Sequence, residues 1–245
     1  MEPFTYEEYR SLLAEFKQHQ YEFARFNEIS NNFDRPVVLL RHDIDMSLEA
    51  ALRMAEIEAE NRVRATYFFL LRTEHYNVFS KEGSQIVRNI LEFGHALGLH
   101  FDCAAYGNDC GGDALAAACS REAGILETWL DRPVSVVSYH RPNALVMSGL
   151  PDLSSPRLHT YMKIFRTPIT YLSDSRGQWS NGSPLASQAF RESRPLHVLV
   201  HPIWWGEHMA SPEDRLAAFR RRRAETLDES LGKNCSVYKP EKDAR

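Results

Sequence analysis

The strongest constraint on this chain is an alternation of short apolar runs with helical patterns, in which most runs end on a residue able to do chemistry. Val37-Val38-Leu39-Leu40, just after Pro36, is apolar at every position, as expected of a strand buried on both faces. Residues 65–71, 97–99, 134–137, 169–172 and 196–200 repeat the pattern. Helices are expected between them. Leu48, Ala51, Leu52 and Ala55 make one stripe behind a Ser47 cap, and Ile86, Val87, Ile90 and Leu91 make another ahead of Gly94. An Ala-rich helix is predicted over 113–130, and Ser211-Pro212-Glu213 opens a last one. A further helix leads the chain, with Thr5 and Glu8 as a capping box. Such alternation implies a parallel sheet covered by helices, and periodicity alone leaves both an open sheet and a barrel possible. The stretch 144–168 reads only as a loop with a short helix.

With 245 residues, 43% hydrophobic and 25% charged, the chain can bury a full core, and disordered or collagen-like classes are excluded. We find no repeat or linker, so residues 1–245 are expected to form one domain, with the core at about 36–205 and helical additions at both ends. The net charge of −4 suggests no nucleic-acid partner. The basic run Arg220-Arg221-Arg222-Arg223 shares its stretch with Glu213, Asp214, Glu225 and Asp228 and reads as a solvated helix face. No segment reads as a membrane span, and the N-terminus lacks the features of a signal peptide. Cys103, Cys110, Cys119 and Cys235 form no Cys-x-x-Cys pair and read as reduced thiols, so a cytoplasmic location is expected.

The polar residues fall in one place. Asp43 lies three positions past the first run, His100 directly past the third, His140 and Arg141 past the fourth, Asp174 past the fifth and His201 past the sixth. In parallel α/β folds the C-terminal strand ends share a face, and that face carries the active site. Within Arg41-His42-Asp43-Ile44-Asp45 the strand period of two places Asp43 and Asp45 on one side and His42 on the other. Two carboxylates at one strand end can divide metal binding from proton transfer. The alternative use of one of them, as a helix cap, is already met by Ser47. A neutral His100 suits a metal, with Asp102 available to hold its other nitrogen, whereas His95 at the far strand end reads as structural. Trp204 and Trp205 follow His201; either ring alone is better read as core, but the pair beside a histidine suits a sugar face.

Taken in order, these segments resemble the polysaccharide deacetylases of the NodB-homology type (carbohydrate esterase family 4), in particular a divergent cytoplasmic branch marked by His-Asp-x-Asp. Arg41-His42-Asp43-Ile44-Asp45, Ala65-Thr66-Tyr67-Phe68-Phe69, Gly94-His95-Ala96-Leu97-Gly98-Leu99-His100, His140-Arg141-Pro142, Asp174-Ser175-Arg176-Gly177-Gln178-Trp179 and Leu199-Val200-His201 stand where that family's motifs would be. The resemblance implies a distorted (β/α) barrel of about seven parallel strands with outer helices. It implies a metal-dependent hydrolase, with a divalent ion, zinc first, that removes an N-acetyl group from a sugar or glycan precursor. By the same resemblance Asp43 is the general base, Asp45 and His100 are metal ligands, Arg141 orients Asp43 and His201 is the general acid, with Asp174, Trp179, Trp204 and Trp205 toward the substrate. Two positions depart from the pattern. Ile44 separates the two acids, and Ala104 stands where a second histidine would be. His140 is the candidate third ligand, with Asp102 and His42 as alternatives. Without an export signal, a nucleotide- or lipid-linked precursor is the expected substrate. An amidohydrolase acting on another C–N bond, or a degenerate protein that binds a sugar or partner without turnover, are the competing expectations.

Overall fold

The computed structural model describes residues 4–29, 35–107, 112–148 and 157–239. Cys110 therefore lies outside the described residues. Helix α1 (Tyr6–Gln18) comes first; Thr5 caps it by accepting from the Glu8 amide, and Tyr9, Leu13 and Phe16 point inward. The strands are β1 (Glu22–Phe23), β2 (Val37–Ile44), β3 (Thr66–Phe69), β4 (Ala96–Asp102), β5 (Val136–His140), β6 (Leu158–His159), β7 (Thr170–Ser173) and β8 (Leu196–Val200). Between them run α2 (Leu48–Glu60), α3 (Lys81–Glu92), α4 (Gly112–Leu130), α5 (Ala144–Met147) and α6 (Gln188–Arg191), and α7 (Pro212–Asn234) follows the last strand.

Every pairing is parallel, in the order β6-β5-β4-β3-β2-β8-β7, with β1 beside the start of β2. The sheet curls into a distorted half-barrel, open where, among the described residues, β6 and β7 do not pair. This is the barrel expected from the resemblance, and β1 and β6, two residues each, are strands too short for any periodicity to announce. Expected strand ends shift by a few residues: β4 runs on through His100 to Asp102, and β5 through to His140. Both histidines thus sit within strands rather than just past them.

Two separate cores follow from the curl. Val38, Leu40, Tyr67, Phe69, Leu99, Val137, Val198 and Val200 face outward under the helices as part of the large core. Leu39, Phe68 and Val136 face the lumen, where Phe26, Phe165 and Ile169 close it. Above this apolar plug the lumen positions become polar: Arg41 and Asp43 on β2, His100 and Asp102 on β4, Ser138 and His140 on β5. Strand register brings them level, with His100 opposite Ser138 and Asp102 opposite His140. Among the described residues no helix is long and apolar enough to cross a membrane.

Candidate metal centre and active site

The period of two sorts the acidic motif as expected. Asp43 and Asp45 turn into the lumen toward His100, while His42 turns outward. There His42 Nε2 lies 2.5 Å from Glu58 of α2, in a fully buried cluster where Tyr9 and Tyr67 also donate to Glu58. His42 is therefore removed from the set of possible ligands.

Asp45, His100 and His140 each offer a ligand atom, and these atoms all lie within 4.8 Å of one another. Asp45 Oδ1 is 3.2 Å from His100 Nε2 and 3.4 Å from His140 Nδ1, yet it is buried and closes no hydrogen bond. The neighbouring contacts explain why. An ionised Asp43 can only accept, so Ser138 donates to it at 3.4 Å, and His100 Nδ1 donates to Ser138 Oγ at 2.7 Å. If His100 is neutral, as a metal ligand must be, its Nε2 faces a carboxylate oxygen with a lone pair, an arrangement that repels unless a cation lies between. One carboxylate and two imidazoles are a donor set suited to zinc, so the residues present fit a divalent ion. Burial holds His140 below the ordinary histidine value and keeps it neutral, as a ligand must be. Burial works against ionisation of Asp45, but His100 and then the charge of His201 hold it below the usual carboxylate value.

Asp43 is not free in this cluster. Arg41 Nε and Nη2 donate to its two oxygens, each at 2.7 Å, and both residues are buried. Burial alone would raise Asp43; the Arg41 guanidinium, followed by His100, overrides it and holds the carboxyl well below the usual range. Here the structure corrects an expectation: Arg141 does not reach Asp43. It follows β5 with a left-handed φ of 47°, and this turn sends its half-exposed side chain to Asp102. Asp102 is occupied by Arg141 and by the Ala104 amide, so the group behind His100 is Ser138, not Asp102.

His201 follows β8 and is fixed from behind by Asp174, which follows β7. Asp174 is fully buried and accepts from the His201 amide at 2.9 Å and from His201 Nδ1 at 2.7 Å. Trp205 Nε1 donates to its other oxygen at 2.8 Å. These contacts leave His201 Nε2 pointing at Asp45, 3.9 Å from Oδ2. Burial would lower His201, but Asp174 and then Asp45 outweigh it and push it up to about 9, so the ring is cationic at neutral pH.

Asp174 and Trp205 were expected to face a substrate, and both instead support His201. Trp205 is buried, with its ring edge against Phe4 and Tyr9. Trp179 is partly buried and also packs on Phe4 and Trp205. Trp204 packs partly buried against the same core. Sequence reasoning gave Arg41 and Ser138 no part in the site. Each lies two positions before a residue already chosen, Asp43 and His140, so the strand period held the signal.

No family model matches the sequence, and no curated protein does. Among solved structures the chain is similar to the Streptococcus pyogenes deacetylase PplD in complex with acetate, at 15% identity over 58% of this chain and 66% of that one, TM-score 0.46. It is similar to a CE4 family pseudoenzyme from Bacillus anthracis, at 17% identity over 80% and 63% of the two chains, TM-score 0.43. It is also similar to a family 4 carbohydrate esterase from Bacillus anthracis, at 10% identity over 88% and 86%, TM-score 0.45. The chain thus spans just under two thirds of the length of the first two.

Proposed function

We propose that the chain is a metal-dependent hydrolase that removes an N-acetyl group from a sugar or glycan precursor. The observation that supports this most is the division of the lumen cluster into three parts. Asp45, His100 and His140 converge with an unpaired carboxylate oxygen; Asp43 stands beside them on Arg41; His201 faces them from Asp174. A divalent ion held by Asp45, His100 and His140 would supply Lewis acidity and a water of lowered pKa. Asp43 stays ionised at every working pH and accepts the proton of the attacking water. Arg41 keeps its oxygens oriented. His201, cationic and held in orientation by Asp174, gives a proton to the departing amine. A cytoplasmic site of action belongs to this reading, in keeping with the free thiols Cys119 and Cys235.

The competing reading, a sugar-binding protein without turnover, is favoured by one observation. Arg41 engages both oxygens of Asp43, which weakens it as a base. One experiment separates the two: metal content and acetate release from N-acetylglucosamine oligomers, measured on the same preparations. Asp45→Ala and His100→Ala should each lose stoichiometric metal. Asp43→Asn should keep it while turnover falls roughly 10²–10⁴-fold. Wild-type protein that holds a full metal equivalent yet releases no acetate from any acetylated sugar would establish the binding reading instead.

A further inference from the structure

The half-barrel is open where β6 and β7 end the strand order without pairing. The segment joining them passes over this seam, and a cavity of about 350 Å³ lies there, at the small end of the range of roughly 300–1,000 Å³ for organic-ligand pockets. Tyr161 and Tyr171 wall it, the exposed Arg166 stands at its edge, and Arg41, Thr160 and His197 form its buried side. Apart from Arg41, none of these residues has a part in the chemistry above.

The buried side holds polar groups with nothing to bind. His197 is 2% exposed; its ring bonds the Phe165 backbone, and Nε2 has no partner among the described residues. Thr160 is 3% exposed, and its hydroxyl has no partner among the described residues either. A buried polar group left unpaired costs stability, and two at one cavity point to something that completes them. Burial, and then the charge of Arg41, holds His197 neutral, so Nε2 is an acceptor waiting for an O–H. Arg41 uses Nε and Nη2 on Asp43, and its Nη1 remains a donor outside that pair. No described carboxylate lines the cavity, but Asp43 lies directly behind Arg41 and disfavours an anion. An acceptor, a hydroxyl and a donor between two aromatic rings match a neutral polyhydroxylated ring, whose C–H faces pack on tyrosine.

We propose that the seam cavity binds one pyranose ring separately from the metal centre, with sugar hydroxyls on His197 Nε2, Thr160 Oγ1 and Arg41 Nη1. This rests on the reading of the chain as one that acts on sugars. It assigns substrate recognition to the gap in the barrel, with Arg41 shared between the sugar and the base.

The test is equilibrium binding of N-acetylglucosamine and its β-1,4-linked dimer to the full chain, by calorimetry and saturation-transfer NMR. Asp45→Ala, which should lose the metal and any binding at it, should keep the binding that depends on the seam residues. Tyr171→Ala, at a partly exposed wall, should weaken binding roughly tenfold. Thr160→Val, nearly isosteric, should weaken it several-fold while the unfolding temperature stays level or rises, because an unpaired hydroxyl has left the interior. No binding to the wild type, wild-type binding in both seam variants, or loss of all binding in Asp45→Ala would each overturn the proposal. Seam binding without acetate release would refute the hydrolase reading and leave the pocket standing; acetate release without seam binding would do the reverse.

Discussion

Arg41 gives two hydrogen bonds to a carboxylate that water hardly reaches, whereas Arg141 meets Asp102 with more than half of its side chain in solvent. The two arginines should therefore behave oppositely. Arg41→Met leaves Asp43 ionised and unpaired in the interior, a change of the kind that costs about 3–5 kcal/mol. The stranded carboxyl also rises toward and past its ordinary value, so the acidic limb of the pH–rate profile should move to higher pH. Arg141→Met removes a mostly solvated partner but leaves the buried Asp102 with the Ala104 amide alone, so it should cost about 1–3 kcal/mol, with that limb in place. Urea denaturation and the pH profile of both variants check this; an acidic limb displaced in Arg141→Met and unmoved in Arg41→Met would return the orienting role to Arg141. At this scale the sequence was legible in residue types and faces. Asp43, Asp45, His100, His140 and His201 were selected from it, and all of them gather in the lumen. The error over Arg141 came from its left-handed turn, a backbone feature that neither spacing nor residue type carries.

Strands carry the site because each alternates between two environments. In β2 the outward residues enter the large core and the inward ones step from Leu39 through Arg41 to Asp43. This layering needs room in the lumen, and Gly98 on β4 provides it. A Cβ there would lie 2.5 Å from the ring of Phe68, which is fully buried on β3. Gly98→Ala should therefore cost about 1–3 kcal/mol by overpacking, and Phe68→Leu should recover part of that loss in the double variant. Chemical denaturation of the two single variants and the pair measures it; purely additive losses would mean the two positions do not compete for space. The longer elements were readable because their periodicity extends over several turns or residues. β1 and β6 were not, because two paired residues hold their place only through neighbours. The described parts of the 144–168 stretch were opaque for the same reason, since α5 and β6 are only four and two residues long.

The curl of the sheet buries a histidine that pays no part in the metal cluster. His197 on β8 is 2% exposed and sits down to about 3, by burial first and then by the Arg41 charge. Its folded-state value lies below the unfolded value of about 6.5, so the unfolded chain binds the extra proton in this window. The stability held by the neutral ring is complete above pH 6.5 and falls as the pH drops toward 3. At pH 5 the loss is on the order of 2 kcal/mol. His197→Leu should flatten the fall in urea midpoint between pH 7 and pH 5; an unchanged slope would place the acid sensitivity elsewhere.

What the sequence determined by itself is local and periodic. Apolar runs set the strands, helical stripes set the covering layer, and the period of two decided that Asp43 and Asp45 share a face that His42 does not. These follow from backbone geometry, which acts over a few residues and leaves its trace in residue order. The tertiary structure alone decided which partner each group received. Arg41 rather than Arg141 holds Asp43, Ser138 rather than Asp102 stands behind His100, and Trp205 supports Asp174 instead of meeting a sugar. Such choices depend on how far the sheet curls and where each strand ends, because hydrogen bonds are made or lost within an ångström. The gap between β6 and β7 is likewise a property of the curled sheet, fixed by the pairing of strands far apart in the chain.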